Sequence, residues 1–193
     1  MNINKYWNCS NDDFSNRPTI LFQDEHLHYI KDCERVLDLG CGNGALVKKL
    51  NENGVNAYGI TYNQEEVDSK IHPNVFYGDM HDIPFIDDKF DGFIMWDSLE
   101  HCQSAYIALC EARRVLKDGG KGIIFMPGQN WLNCHCHITC YTIPQMQQLF
   151  RQSGLCCVEI HEKAYQDDPK KECEGMAVYL VTKDPKYKAV FKA

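Results

Sequence analysis

Val36-Leu37-Asp38-Leu39-Gly40-Cys41-Gly42-Asn43-Gly44 decides how the rest of the chain is read. A short apolar strand runs into three glycines at alternate positions. Leu46, Val47 and Leu50 then fall on one face of a helix, for which Gly54 suits the end. Glycines at such a turn let the backbone double back tightly and let a ligand approach without a side chain in the way. A dinucleotide fold spaces them G-x-G-x-x-G, so that a pyrophosphate meets the helix N-terminus. Here the spacing is G-x-G-x-G with an acid, Asp38, two residues ahead. That pattern suits a ligand with an amino-acid end and no phosphate.

Outward from this turn the same alternation repeats. Ile20, Leu21, Leu27, Tyr29 and Ile30 predict a helical lead-in before it. After it, Ala57 to Ile60 reads as a strand, Glu65 to Lys70 as a short helix, Asn74 to Tyr77 as a strand and Phe90 to Trp96 as a buried strand. Ala105, Ala108, Leu109, Ala112, Val115 and Leu116 mark an amphipathic helix capped by Ser104, with Gly119-Gly120 as its stop. Ile123 to Met126 is a further strand. Thr142 and Gln145 form a capping box for a helix carrying Met146, Leu149 and Phe150. Cys157 to Ile160 and Met176 to Val181 close the sheet, the last strand antiparallel. The expected fold class is α/β, a three-layer doubly wound sheet, mostly parallel. Ligands of such sheets sit beyond the carboxyl ends of the strands, where every motif below falls.

Bulk properties narrow the function. At 193 residues, with no linker or repeat, the chain reads as one domain: 1–32 a lead-in, 33–182 the core, 183–193 a basic tail. A net charge of -7 leaves no strong nucleic-acid signal, since that binding runs on clustered cations. Lys183, Lys186, Lys188 and Lys192 read as a solvated tail. No apolar run reaches the roughly 18 residues of a membrane helix. Met1 to Ser10 lacks the apolar core of a signal peptide. Eleven cysteines, an odd number without framework spacing, read as thiols in a cytoplasmic protein. Cys102, Cys110, Cys156 and Cys157 are expected as small core fillers.

The segment Val36 to Gly44 resembles motif I of class I (Rossmann-like) S-adenosylmethionine-dependent methyltransferases, with type 11-like features. Tyr77 to Phe85 followed by Asp87 to Asp91 is similar to that family's third-strand signature, and Leu116 to Gly122 to its stretch before strand five. The resemblance covers about residues 33 to 182 and implies a cytoplasmic methyltransferase that uses S-adenosyl-L-methionine on a small or medium-sized acceptor. It places Gly40, Gly42 and Gly44 along the methionine part of the cofactor, with Asp38 orienting the loop. It gives Asp79 to the adenine amino group, which donates where a carboxylate can only accept, and the Met80 N–H to a ring nitrogen. Trp7, with Tyr6, resembles the aromatic lead-in that several of these enzymes fold over the cofactor; a packing anchor is the equal alternative. The family commonly carries an acid at the end of strand two, where this chain has Thr61. Thr61 resembles the cyclopropane fatty acid synthase sub-group, in which a residue further along the helix reaches the ribose; Gln64, Glu65 or Glu66 is expected to do so here. The cofactor-binding set also includes Asp97.

On the acceptor side, candidates lie at Asp97-Ser98-Leu99-Glu100-His101 and at Cys134-His135-Cys136-His137. His101 is expected as the base for an acceptor that must lose a proton. No metal is assigned: no C-x-x-C pair sets up a zinc knuckle. A divalent-ion alternative rests on resemblance, because Asp97-x-x-Glu100-His101 is similar to the E-x-x-E-H motif of small-RNA 2′-O-methyltransferases and ubiquinone-pathway O-methyltransferases, with His135 or His137 as a later ligand. Rival readings are aminopropyl transfer, hydrolysis of the cofactor, or a non-catalytic cofactor-binding subunit that activates a partner. The acceptor and the oligomeric state stay open.

Overall fold

The computed structural model describes residues 24–128, 136–162, 177–184 and 186. In chain order these form α1 (Asp24–Ile30), β1 (Val36–Leu39), α2 (Ala45–Glu52), β2 (Ala57–Thr61), α3 (Gln64–Asp68), β3 (Val75–Tyr77) and β4 (Phe90–Trp96). A 3₁₀ turn (Leu99–His101), α4 (Ala105–Val115), β5 (Leu116–Met126), α5 (Ile143–Ser153), β6 (Cys156–Glu162) and β7 (Ala177–Thr182) follow. One sheet runs β3-β2-β1-β4-β5-β7-β6. The pairs from β3 through β5 are parallel, and β7 lies antiparallel to both β5 and β6. The α/β, mostly parallel sheet with an antiparallel last strand is therefore as the sequence predicts.

Period-two alternation sorts the sheet into two faces. Leu37, Leu39, Phe93, Met95, Ile124, Met126 and Tyr179 join one core cluster, to which α4 brings Ala108, Leu109 and Ala112 and α5 brings Met146 and Phe150. The intervening residues Val36, Ile94, Trp96, Ile123, Phe125 and Val178 join a second cluster against Leu46, Val47 and Leu50 of α2. Buried on both sides, the central strands need continuous apolar runs. The polar exception, Asp38, is 3% exposed at the carboxyl end of β1.

Capping follows the residues named from sequence. The Ser104 hydroxyl accepts from the Ile107 N–H at 3.4 Å, and Thr142 and Gln145 form a reciprocal capping box. Three expectations change. First, β5 begins at Leu116, ahead of Gly119-Gly120, because that stretch pairs with the end of β7: Gly119 N donates to Lys183 O at 2.7 Å and Lys183 N to Gly120 O at 3.0 Å. Second, of the four cysteines read as core fillers only Cys102 is buried, while Cys110, Cys156 and Cys157 are half-exposed on amphipathic elements.

Third, Lys183 is no part of a solvated tail. It is buried, and its Nζ donates to Leu116 O at 2.6 Å and to Asp88 Oδ1 at 2.5 Å. Lys186 is exposed, while Lys188 and Lys192 lie outside the described residues. Asp88 and Asp118 are 59% and 65% exposed, so solvent screens their pull on the ammonium. The hydrogen bond to the buried carbonyl carries most of the contribution. Lys183→Met is expected to lower unfolding free energy by about 1–3 kcal/mol, read as a shifted urea midpoint at unchanged slope.

Candidate active site

The turn after β1 is held against β2: Gly40 N and Cys41 N both donate to Ile60 O, at 2.9 and 3.0 Å. Its three glycines are needed for different reasons. A Cβ at Gly40 would strike the Ser98 side chain, and one at Gly44 would strike Val75. A Cβ at Gly42, where φ is +55°, would meet nothing within 4 Å among the described residues. The loop is thus packed by protein at its two ends and opens onto free space at its middle glycine. Facing it, Ser98 is 4% exposed, and its Oγ has no hydrogen-bond partner among the described residues. Met80 also reaches the loop, its Cε 3.5 Å from the position of a Cβ on Gly40. The strand-end acid Asp97 follows β4 at φ 48°, a left-handed conformation that Asp tolerates better than most residues.

At the end of β2, Thr61 is buried and its hydroxyl is doubly engaged. It accepts from the Asn63 N–H at 3.2 Å and donates to a Glu66 carboxylate oxygen. Gln64 and Glu65 point to solvent, whereas Glu66 is half-buried and burial raises its carboxyl pKa. Among the three residues expected to replace the missing strand-two acid, Glu66 is the one the structure brings to that strand end.

At the end of β3, Asp79 Oδ1 accepts from the His81 N–H at 2.8 Å and lies 2.7 Å from His81 Nδ1. The far nitrogen, Nε2, accepts from the Ser104 N–H at 3.1 Å. That assigns the proton to Nδ1, so a neutral His81 donates to Asp79 and sets its orientation. The role of His81 did not stand out in the sequence, because it depends on Ser104, 23 residues on.

The acceptor-side group assembles around the 3₁₀ turn. His101 Nδ1 lies 2.9 Å from Cys136 O, and the His101 and His137 rings meet edge to face at 5.0 Å. Burial lowers the His101 pKa, favouring the neutral ring. Glu100 is fully buried beneath them. Trp7, Cys134 and His135 lie outside the described residues.

The methyltransferase domain family matches residues 37–124. This match and the sequence resemblance agree on a methyltransferase domain across residues 37–124. The chain is 27% identical over 154 residues to the O-methyltransferase resE of Aspergillus sclerotiorum, covering 65% of this chain and 56% of that protein. It is 29% identical over 99 residues to the 27-O-demethylrifamycin SV methyltransferase of Amycolatopsis mediterranei, covering 46% and 36%. The chain therefore spans only about a third to a half of the length of these curated relatives. The fold matches the PH0226 protein of Pyrococcus horikoshii at TM-score 0.73 and 15% identity, over 93% of this chain and 96% of that one. It also matches a SAM dependent methyltransferase of Archaeoglobus fulgidus at TM-score 0.69 and 17% identity, over 86% and 92%. Among the described residues no helix is long and apolar enough to cross a membrane.

In this methyltransferase domain Asp38 carries a testable electrostatic signature. Burial pushes its carboxyl from 3.8 up to about 7. A raised folded-state pKa means that its contribution to stability is fully present below 3.8 and is lost as pH rises through about 7. Urea midpoints of the ligand-free chain and of Asp38→Asn should therefore diverge across that window. The wild-type chain should lose ground to the variant as pH rises, and a constant difference would show that Asp38 does not titrate there.

Proposed function

We propose that the chain binds S-adenosylmethionine across the carboxyl ends of β1, β2 and β3 and methylates an oxygen of a small or medium-sized hydroxylated acceptor. The observation that carries this reading is the glycine turn after β1, open at Gly42 among the described residues, with Glu66 held at the end of β2 and Asp79 following β3. Two carboxylates that can only accept suit a ligand that donates from an adenine amino group and from ribose hydroxyls. The absence of a side chain at Gly42 leaves room for the ligand's amino-acid end. When bound, the cofactor supplies an electrophilic methyl on a sulfonium centre.

The chain's own residues do the rest. Asp79, oriented by His81, accepts from the adenine amino group, and the Met80 N–H meets a ring nitrogen. Glu66, held by Thr61, accepts from the ribose. Asp38 sits under the turn and supports it, and Asp97 flanks the methionine end. A hydroxyl acceptor must lose its proton as the new bond to carbon forms, and His101 takes that proton on Nε2. The names of the two O-methyltransferase relatives support oxygen as the methylated atom.

Gly42→Ala puts a methyl group into the ligand's space. It should abolish S-adenosylhomocysteine binding in calorimetry while costing about 1–2 kcal/mol of stability for the left-handed backbone. Gly119→Ala is the control, since φ there is +77° with nothing within 4 Å of an added Cβ. It should cost the same stability and leave affinity unchanged; equal affinity in both variants would place the ligand elsewhere. Glu66→Gln should weaken binding by about 1–3 kcal/mol.

The whole chain, given a labelled methyl donor and a panel of phenols and other hydroxylated compounds, should turn over. His101→Ala should lower kcat by about 10²–10⁴-fold without changing S-adenosylhomocysteine affinity. Intact binding with no turnover on any acceptor would favour the partner-subunit alternative.

A further inference from the structure

One cluster beside the proposed site holds more donor chemistry than methyl transfer requires. His101 ends the 3₁₀ turn, and Cys136 and His137 lie on the stretch leading to α5. The contact between His101 Nδ1 and Cys136 O has one sense, because a carbonyl only accepts. Nδ1 therefore carries the proton, and the ring's lone pair is on Nε2. That Nε2 lies 3.8 Å from Glu100 Oε1, and His137 Nε2 lies 4.0 Å from the same oxygen. A ring nitrogen of each histidine and the Cys136 Sγ lie within 4.8 Å of one another. Among the described residues no other trio of His, Cys, Asp or Glu converges in this way. The backbone is already tied down, since Ile138 N and Thr139 N donate to Glu100 O at 2.9 and 3.2 Å.

We propose that His101, Cys136 and His137 form a binding site for a zinc-class divalent ion, with the buried Glu100 carboxylate beside it. Four considerations favour this ion class. Two imidazoles and a thiol are borderline-to-soft donors, whereas magnesium and calcium demand oxygen. A tetrahedral site with bonds of about 2.0–2.3 Å needs donor atoms about 3.3–3.7 Å apart, so side-chain rotation of about 1 Å closes the cluster. A thiolate and a carboxylate together offset a double positive charge, which makes a half-buried ion tolerable. The Cys136 carbonyl, bonded to Nδ1, is the outer partner that orients a metal-binding imidazole.

The donor set differs from the one that sequence resemblance suggests. Asp97 is not in the trio, and Cys136 is. Binding displaces the Cys136 thiol proton to solvent and fastens residues 136–140 to the end of β4. It also occupies the His101 lone pair, so the loaded site and the base are alternative states of one nitrogen. The proposal goes beyond the methyl-transfer reading and is tested without it.

The whole chain, stripped by chelator under reducing conditions, is titrated with Co²⁺. The expected result is one equivalent bound, with a thiolate-to-cobalt charge-transfer band and the visible bands of a tetrahedral ion, both bleached by Zn²⁺. Cys136→Ser should remove the charge-transfer band. His101→Ala and His137→Ala should each weaken binding by at least about tenfold. The paired variant Cys156→Ser, Cys157→Ser should leave the spectrum unchanged, which separates this site from the thiols of β6. Circular dichroism verifies that each variant folds. No band in the wild-type chain, a band that survives Cys136→Ser, or full affinity in both histidine variants would overturn the proposal. S-adenosylhomocysteine calorimetry on the same samples reads the cofactor site separately.

Discussion

The turn after β1 has no freedom to be anything else. Two successive N–H groups, from Gly40 and Cys41, converge on one carbonyl at the end of β2, which forces the chain into left-handed backbone at Gly40, Gly42 and Gly44. Ser98, just after β4, and Val75, the first residue of β3, fill the space beside the outer two glycines. One small loop thereby fixes the relative heights of four strand ends. Thr61 with Glu66 at the end of β2, Asp79 after β3 and the open middle of the loop lie along the edge that this contact organises.

The second organising feature is the unusual number of carboxyl groups held away from water on this edge. Asp38 is buried under the loop, Glu66 half-buried against Thr61, and Glu100 fully buried under two imidazoles. Desolvation penalises Asp38 and Glu66 in the charged form. By contrast, Arg114 is satisfied within the fold. It binds Glu111, Asp87 and the carbonyls of Ile83 and Phe85, and so ties α4 to the segment after β3. The protein thus places this ion-pair cluster where it braces the scaffold, away from the glycine turn.

Much of this architecture was legible in the residues. Apolar runs with period two and helices with period 3.6 are local patterns, so strands, helices and the caps at Ser104 and Thr142 could be placed to within a few residues. The errors share a cause. The start of β5, the burial of Lys183 and the exposure of Cys110, Cys156 and Cys157 all depend on which segment lies alongside, and no local pattern encodes that. Lys183 looks like tail because its partners, Asp88 and Leu116, are far away in the chain.

By itself the sequence determined the class of fold and the chemistry of its most distinctive turn. Alternating buried strands and amphipathic helices have one packing solution of this kind, and a G-x-G-x-G turn needs glycine wherever φ is positive. The tertiary structure alone decided which groups meet. Glu66 rather than Gln64 or Glu65 reaches the end of β2, because one turn of α3 presents only one of them to Thr61. His81 orients Asp79 because Ser104 opens α4 directly against its far nitrogen. Cys136 and His137 join His101 because residues 136–139 lie against the 3₁₀ turn. Side-chain convergence across loops is a matter of distances in space, and sequence spacing carries no information on it.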